Sequence, residues 1–136
     1  MAKLKLEIVT PEGRAYEDDV DMVVLPGSDG ELGVYAAHAP LMTQLAPGEV
    51  RILKDGKQTE LVVGSGFAEI TQTQVSVLTD SAMEDSAIDE KATEEAIHRA
   101  QTALRDKNLA SEEAAEAEAA LARSLAQLQF KRRRRH

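Results

Sequence analysis

Hydrophobic and polar positions alternate at the start of the chain. Leu4, Leu6 and Ile8 interleave with Lys3, Lys5 and Glu7, the period-two pattern of a strand with one buried face. Thr10-Pro11-Glu12-Gly13 breaks the pattern. A short second strand is expected at Arg14 to Glu17, followed by Glu17-Asp18-Asp19 as a solvated acidic turn. A third is expected from Asp21 to Leu25, stopped by Pro26-Gly27. After Pro47-Gly48, Glu49 to Leu53 and Gln58 to Val63 flank Asp55-Gly56, a strong short-range hairpin signal. Gly64-Ser65-Gly66 interrupts, Phe67 to Ile70 resumes, and Gln74 to Leu78 closes the series after a turn at Gln72-Thr73. Turn signals roughly every 8–12 residues predict an all-β sandwich or barrel.

Between the third and fourth of these runs lies Gly27-Ser28-Asp29-Gly30-Glu31-Leu32-Gly33-Val34-Tyr35-Ala36-Ala37-His38-Ala39-Pro40-Leu41. Gly27, Gly30 and Gly33 permit close backbone approach and positive φ, and Pro40 biases Ala39 towards an extended conformation. Tight connections between short strands are expected there, not a helix.

From Thr79 alanine replaces the β-branched residues. Asp89 is placed to cap a helix whose first turn carries Glu90. Its apolar stripe is Ala92, Ala96, Ala100, Ala103 and Leu104, with Ile97 alongside. Asp106 to Ala110 is a connector too short for anything but antiparallel neighbours. Ser111, Glu112 and Glu113 start a second helix with a stripe of Ala114, Ala117, Leu121, Leu125 and Leu128. Facing surfaces built mostly of alanine bury little area, so this hairpin must lean on the sandwich or on a partner. Weak self-packing suits a mobile element, with a solubilising appendage as the alternative. The chain therefore divides into a sandwich, 1–84, and a helical hairpin with a basic tail, 85–136.

The formal net charge of −8 falls on residues 1–84, while residues 85–136 balance, with Lys131 to Arg135 forming a basic run. An acidic body argues against nonspecific nucleic-acid binding. Without cysteine, disulfides and thiolate-held metals are excluded. The scattered His38, His98 and His136 do not form a metal-ligand pattern, and no metal or cofactor is expected. Glu17, Asp18, Asp19 and Asp21 lack the spaced ligands and glycine of a calcium loop. Ser65 in Gly-Ser-Gly lacks the spacing of a nucleophile elbow; a strand bend against another backbone is the expectation. The chain is not expected to be an enzyme. No apolar run reaches the ~20 residues that span a bilayer, so membrane association is expected only through a partner.

Gly30-Glu31-Leu32-Gly33-Val34-Tyr35 followed by His38-Ala39-Pro40-Leu41 resembles the signature of the epsilon subunit of F-type ATP synthases. Ile8 to Glu12, Pro47-Gly48 with Val50 to Ile52, Gly64 to Ile70, Val75 to Asp80 and Ile88-Asp89 follow in the family's order. The resemblance implies an α+β fold: an antiparallel β-sandwich of about ten strands, then a two-helix hairpin. It implies a noncatalytic rotor part that binds the gamma subunit, sits on the ring of c subunits and couples proton-driven rotation to ATP synthesis. By position, Ser28, Asp29, Gly30, Glu31, His38, Ala39, Pro40 and Leu41 resemble the family's ring-facing end.

The family's hairpin can extend along gamma into the catalytic head and inhibit ATP hydrolysis. Arg123, Lys131, Arg132, Arg133, Arg134 and Arg135 are the expected contacts to the beta (and alpha) subunits there. Some members bind ATP in the folded hairpin through Ile/Leu-Asp-x-x-Arg-Ala. Here Ile88, Asp89 and, further on, Arg99 remain, but Ala92 and Thr93 stand where the motif has arginine and alanine. Loss of that phosphate partner predicts weak or absent ATP binding. The resemblance places the chain at the cytoplasmic face of a bacterial plasma membrane, with an organellar or thylakoid membrane as alternatives. The alternative from a different class is a stand-alone β-sandwich ligand-binding module with a helical oligomerisation hairpin.

Overall fold

The computed structural model describes residues 2–134. Ten strands form one folded sheet: β1 (Leu4–Thr10), β2 (Gly13–Val20), β3 (Met22–Gly27), β4 (Gly30–Tyr35), β5 (Leu41–Leu45), β6 (Gly48–Lys54), β7 (Lys57–Val63), β8 (Gly66–Ile70), β9 (Gln74–Thr79) and β10 (Ala82–Met83). A short 3-10 turn at Asp85–Ala87 leads to helices α1 (Glu90–Leu104) and α2 (Ser111–Arg134). The strand order is β10-β7-β6-β3-β5-β8-β9-β1-β2, with β4 paired to β3. β3 joins the two layers: Met22 to Val24 pair with β6, whereas Gly27 pairs with Leu45 of β5.

Alternation does what the pattern predicts in β1, where Leu4, Leu6 and Ile8 are fully buried. They meet Val23, Val34, Val50, Ile52, Ile70, Val75 and Val77 in one core. The Asp55-Gly56 hairpin forms between β6 and β7, with φ of 50° and 80° at its two corner residues. Asp89 caps α1, its Oδ1 accepting from the Ala92 N–H at 3.1 Å.

Four expectations are corrected. Glu17 to Asp19 is not a turn, because β2 runs through it to Val20. Its charges are tolerated there because β2 is an edge strand and finds cations: Arg14 on Glu17 at 2.7 Å and Lys54 on Asp18 at 2.5 Å. β3 does not stop before Pro26-Gly27 but includes both as its last residues; Pro26, with no N–H to offer, sits where β3 leaves β6, and its carbonyl accepts from Ala46 N. The sheet is not wholly antiparallel, since β1 and β9 run parallel, as strands far apart in sequence are free to do. The helical stripes hold except at Ala92 and Leu125, their other named residues being buried or half-buried. In α1 Thr93 and Ala100 are buried while Ala92 is exposed, and in α2 Ser124 and Leu128 are buried while Leu125 is 41% exposed. Alanine and leucine counted by type missed the small polar residues that a close helix contact accepts. The Thr93 hydroxyl is satisfied by donating to Asp89 O at 2.8 Å.

Candidate functional site

The central stretch splits into two sites. Ser28 and Asp29 form a two-residue turn between paired Gly27 and Gly30. Gly30 holds φ at 129°, which a side chain would resist, and a Cβ on Gly27 would lie 2.7 Å from Gly30 O. Ser28 is tied down from N and Oγ to Gln44 O, at 2.9 and 3.1 Å. Glu31 meets Arg51 at 2.9 Å. This leaves Asp29 at an exposed, firmly held tip.

His38, Ala39 and Pro40 lie beyond the other end of β4, in the loop to β5. Their neighbour Ala37 donates to Gln72 O at 2.7 Å, and the His38 Nδ1 is 2.6 Å from Ala39 O. Leu41 opens β5, 43% exposed. A six-residue strand at ~3.3 Å per residue separates the two groups by nearly 20 Å. Ser28 to Glu31 and His38 to Leu41 are therefore not brought together at one end of the sandwich.

Sequence reasoning missed the outer face of the β5-β8-β9-β1 layer. Phe67 pairs with Leu78, and Leu78 with Val9, so the three side chains stand in one row across β8, β9 and β1. Phe67 is 53% and Leu78 57% exposed, and Met42 on neighbouring β5 is 66% exposed. The signal was present: Phe67 and Leu78 occupy outward positions, flanked by buried Ala68, Val77 and Thr79, where a solvated face would be polar.

The opposite layer is covered. Val62 points out of β7, yet is 1% exposed, because Phe130 of α2 packs on it with Ile88, Met83 and Ala126. Leu61-Val62-Val63, buried on both faces, is the sequence mark of that cover. α2 thus carries a second stripe: Arg123, Ala126, Phe130 and Arg133, at spacings of three and four.

The basic residues are engaged within the chain. Arg123 reaches Asp80 at 3.2 Å, Arg132 is shared by Glu90 and Glu94 at 3.0 and 2.9 Å, and Arg133 meets Glu49. The Glu90 hydrogen bond, aided by Glu94, pushes the Arg132 pKa up further. Lys131 is half-buried, Arg134 ends α2, and Arg135 lies outside the described residues. Ile88 is buried under the hairpin and Asp89 is occupied as a cap, whereas Arg99 is exposed ten residues along α1, about 15 Å away. At Gly64-Ser65-Gly66, Cβ atoms on the glycines would collide with Asp80 and with the Leu78 carbonyl, the close backbone passage expected there. Among the described residues no His/Asp/Glu cluster suits a metal, and no helix is long and apolar enough to cross a membrane.

Comparison with known proteins gives this geometry a family. The family described as "ATP synthase, Delta/Epsilon chain, beta-sandwich domain" matches residues 3–85. The ATP synthase epsilon chain of Dehalococcoides mccartyi strain BAV1 is 42% identical over 135 residues, covering 99% of this chain and 96% of that one. The epsilon chain of Ruminiclostridium cellulolyticum is 38% identical over 135 residues, covering 99% and 100%. Among solved structures, the fold is similar to a chain of the Euglena gracilis mitochondrial ATP synthase OSCP/F1/c-ring, with a TM-score of 0.77 and 22% identity, covering 96% of this chain and 82% of that one. It is also similar to a chain of the Tetrahymena thermophila mitochondrial ATP synthase central stalk/c-ring, with a TM-score of 0.61 and 8% identity, covering 95% and 96%. A family match over the whole sandwich, with relatives of this identity spanning sandwich and hairpin alike, shows that the chain belongs to the epsilon-chain family of the ATP synthases, as a noncatalytic subunit.

Proposed function

We propose that this chain is a central-stalk part that couples rotation of the c-ring to the catalytic head, docking on gamma through the outer face of β5-β8-β9-β1. The observation that carries this reading is the apolar row of exposed Phe67 and Leu78 with half-buried Val9, and exposed Met42 diagonal to Phe67 on β5. Exposed apolar side chains standing together mark a surface made for another protein. The corresponding face of the other layer is already covered by the chain's own hairpin. Leu41 adjoins Met42, so the His38 to Leu41 loop belongs with this gamma-facing side. The rigid, polar Ser28 to Glu31 turn is the part suited to the polar loops of the ring.

In this reading the hairpin is the regulatory element. Docked, Arg123, Arg132 and Arg133 are neutralised by the chain's own carboxylates. Extended, the same cations meet acidic segments of the beta and alpha subunits and restrain ATP hydrolysis. The subunit lies at the cytoplasmic face of the membrane, held there by the complex.

Phe67→Asp with Leu78→Asp tests the docking face. The double variant is expected to fold, since both side chains are outside the core, and to lose copurification with gamma. Retention of gamma at the wild-type level would refute the assignment. Truncation after Glu84 tests the brake: hydrolysis by the assembled complex should rise severalfold while coupling survives, and unchanged hydrolysis would remove the inhibitory role.

A further inference from the structure

The hairpin is held down by a contact separate from the sandwich core. Its apolar part is a plug of Phe130 and Ala126 on Val62, Ile88 and Met83, and none of these residues belongs to the cluster around Leu6 and Ile52. Its charged part includes, among the described residues, two ion pairs that cross from α2 to the sandwich, Arg123 to Asp80 at 3.2 Å and Arg133 to Glu49. Arg132 is different: its partners Glu90 and Glu94 lie on α1, so it moves with the hairpin.

Asp80 is the sandwich side of one of these pairs. Its Oδ2 accepts from Arg123, but Oδ1 is buried without a hydrogen-bond partner, fitted into space that exists because residue 64 is glycine. Ser81 Oγ, against the same glycine, is likewise buried without a partner. The Arg123 pair therefore contributes attraction to the docked state through Oδ2, while the sandwich itself holds Oδ1.

We propose that Arg123–Asp80 and Arg133–Glu49 are an ionic latch that sets whether the hairpin is docked or open, releasing when competing ions or carboxylates take the two guanidinium groups. The latch deepens the mobile-hairpin reading above and rests on it. It adds which residues set the balance. The pairs are one-third exposed at Arg123 and Asp80, and nearly two-thirds exposed at Arg133 against 12% at Glu49. Pairs so placed change an equilibrium by about two- to fivefold each. They are also open to screening, as the Debye length falls from ~10 Å at 0.1 M to ~3 Å at 1 M salt.

The full chain has no cysteine, so Thr59→Cys on β7 and Glu118→Cys on α2 can carry a donor and acceptor dye. Energy transfer then reports docking. In the otherwise unchanged chain, transfer is expected to fall as KCl rises from about 0.05 M to about 0.5 M, a range that shortens the screening length severalfold. Arg123→Gln and Glu49→Gln should each raise the open-to-docked ratio by about two- to fivefold at low salt. The double variant should respond to salt much less than the unchanged chain. Phe130→Leu, which weakens the plug alone, should raise the open fraction at every salt concentration and keep the salt response. A flat response in the unchanged chain, or an undiminished one in the double variant, overturns the latch while leaving the mobile hairpin standing. A hairpin that stays docked in Phe130→Leu combined with both charge variants overturns the mobile reading and the latch together.

Discussion

Lys3 lies between two carboxylates, 2.8 Å from Asp21 and 2.7 Å from Asp55, and Lys54 lies 2.5 Å from Asp18. These contacts tie the start of β1 and the edge strand β2 to the β6–β7 turn. The Asp21 and Asp55 hydrogen bonds push the Lys3 pKa up to about 12, and Asp18 does the same in direction for Lys54. The bonds from Lys54 and Lys3, with backbone N–H groups behind them, hold Asp18 and Asp21 below the usual carboxylate range. Depressed carboxylates contribute stability that is present above about pH 3.9 and lost as pH falls through their folded values. Raised lysines contribute stability that is present below about pH 10.4 and lost as pH rises through theirs, near 12 for Lys3. Lys3→Met with Lys54→Met should therefore lower urea stability between about pH 5 and pH 9, and approach the parent as pH falls through the depressed folded values of Asp18 and Asp21. Parallel curves across that whole range would show that the lysines act through packing and not charge.

At the scale of elements, Phe130 decides whether the hairpin is part of the body. Truncating a buried phenylalanine typically costs ~3–5 kcal/mol, and here the loss falls on a cluster that holds α2 to β7 and shares no residue with the sandwich core. Phe130→Ala should thus raise amide hydrogen exchange through α1 and α2 and leave β1, β8 and β9 protected. Equal loss of protection in those strands would mean the two clusters unfold as one. The same elements show what could be read without coordinates. β1, the Asp55-Gly56 hairpin and the Asp89 cap were legible because each depends on residues close in sequence. The far half of β2, Asp18 to Val20, was not, because its charges oppose strand formation locally and Asp18 is answered by Lys54 only after the sheet has formed. Phe130 stood alone in an alanine helix, and its significance came from Val62, far away in sequence. The two halves of the Gly27 to Leu41 stretch look continuous in the chain, yet β4 carries them to opposite ends.

For the molecule as a whole, the decisive feature is that two clusters of unequal size lie on either side of β7. Leu61 and Val63 face the sandwich core, while Val62 between them faces the hairpin. Removing residues 85–136 takes away Ile88, Ala126 and Phe130 but no member of the sandwich cluster. It also frees Asp80 and Glu49 from Arg123 and Arg133. The residues 1–84 should then fold alone, with a single cooperative urea transition. Their stability should differ little from the sandwich transition of the full chain, because what is lost is the cover over Val62 and Met83 and two partly exposed ion pairs, each worth at most ~1 kcal/mol. The uncovered Val62 is the foreseeable liability, since an outward valine on bare β7 offers an apolar point for association. Val62→Thr in the fragment should reduce association while preserving the strand, threonine being well suited to a solvated sheet face. A fragment that unfolds noncooperatively even with Val62→Thr would show that the hairpin completes the sandwich, and a hairpin needed for folding could not leave it freely.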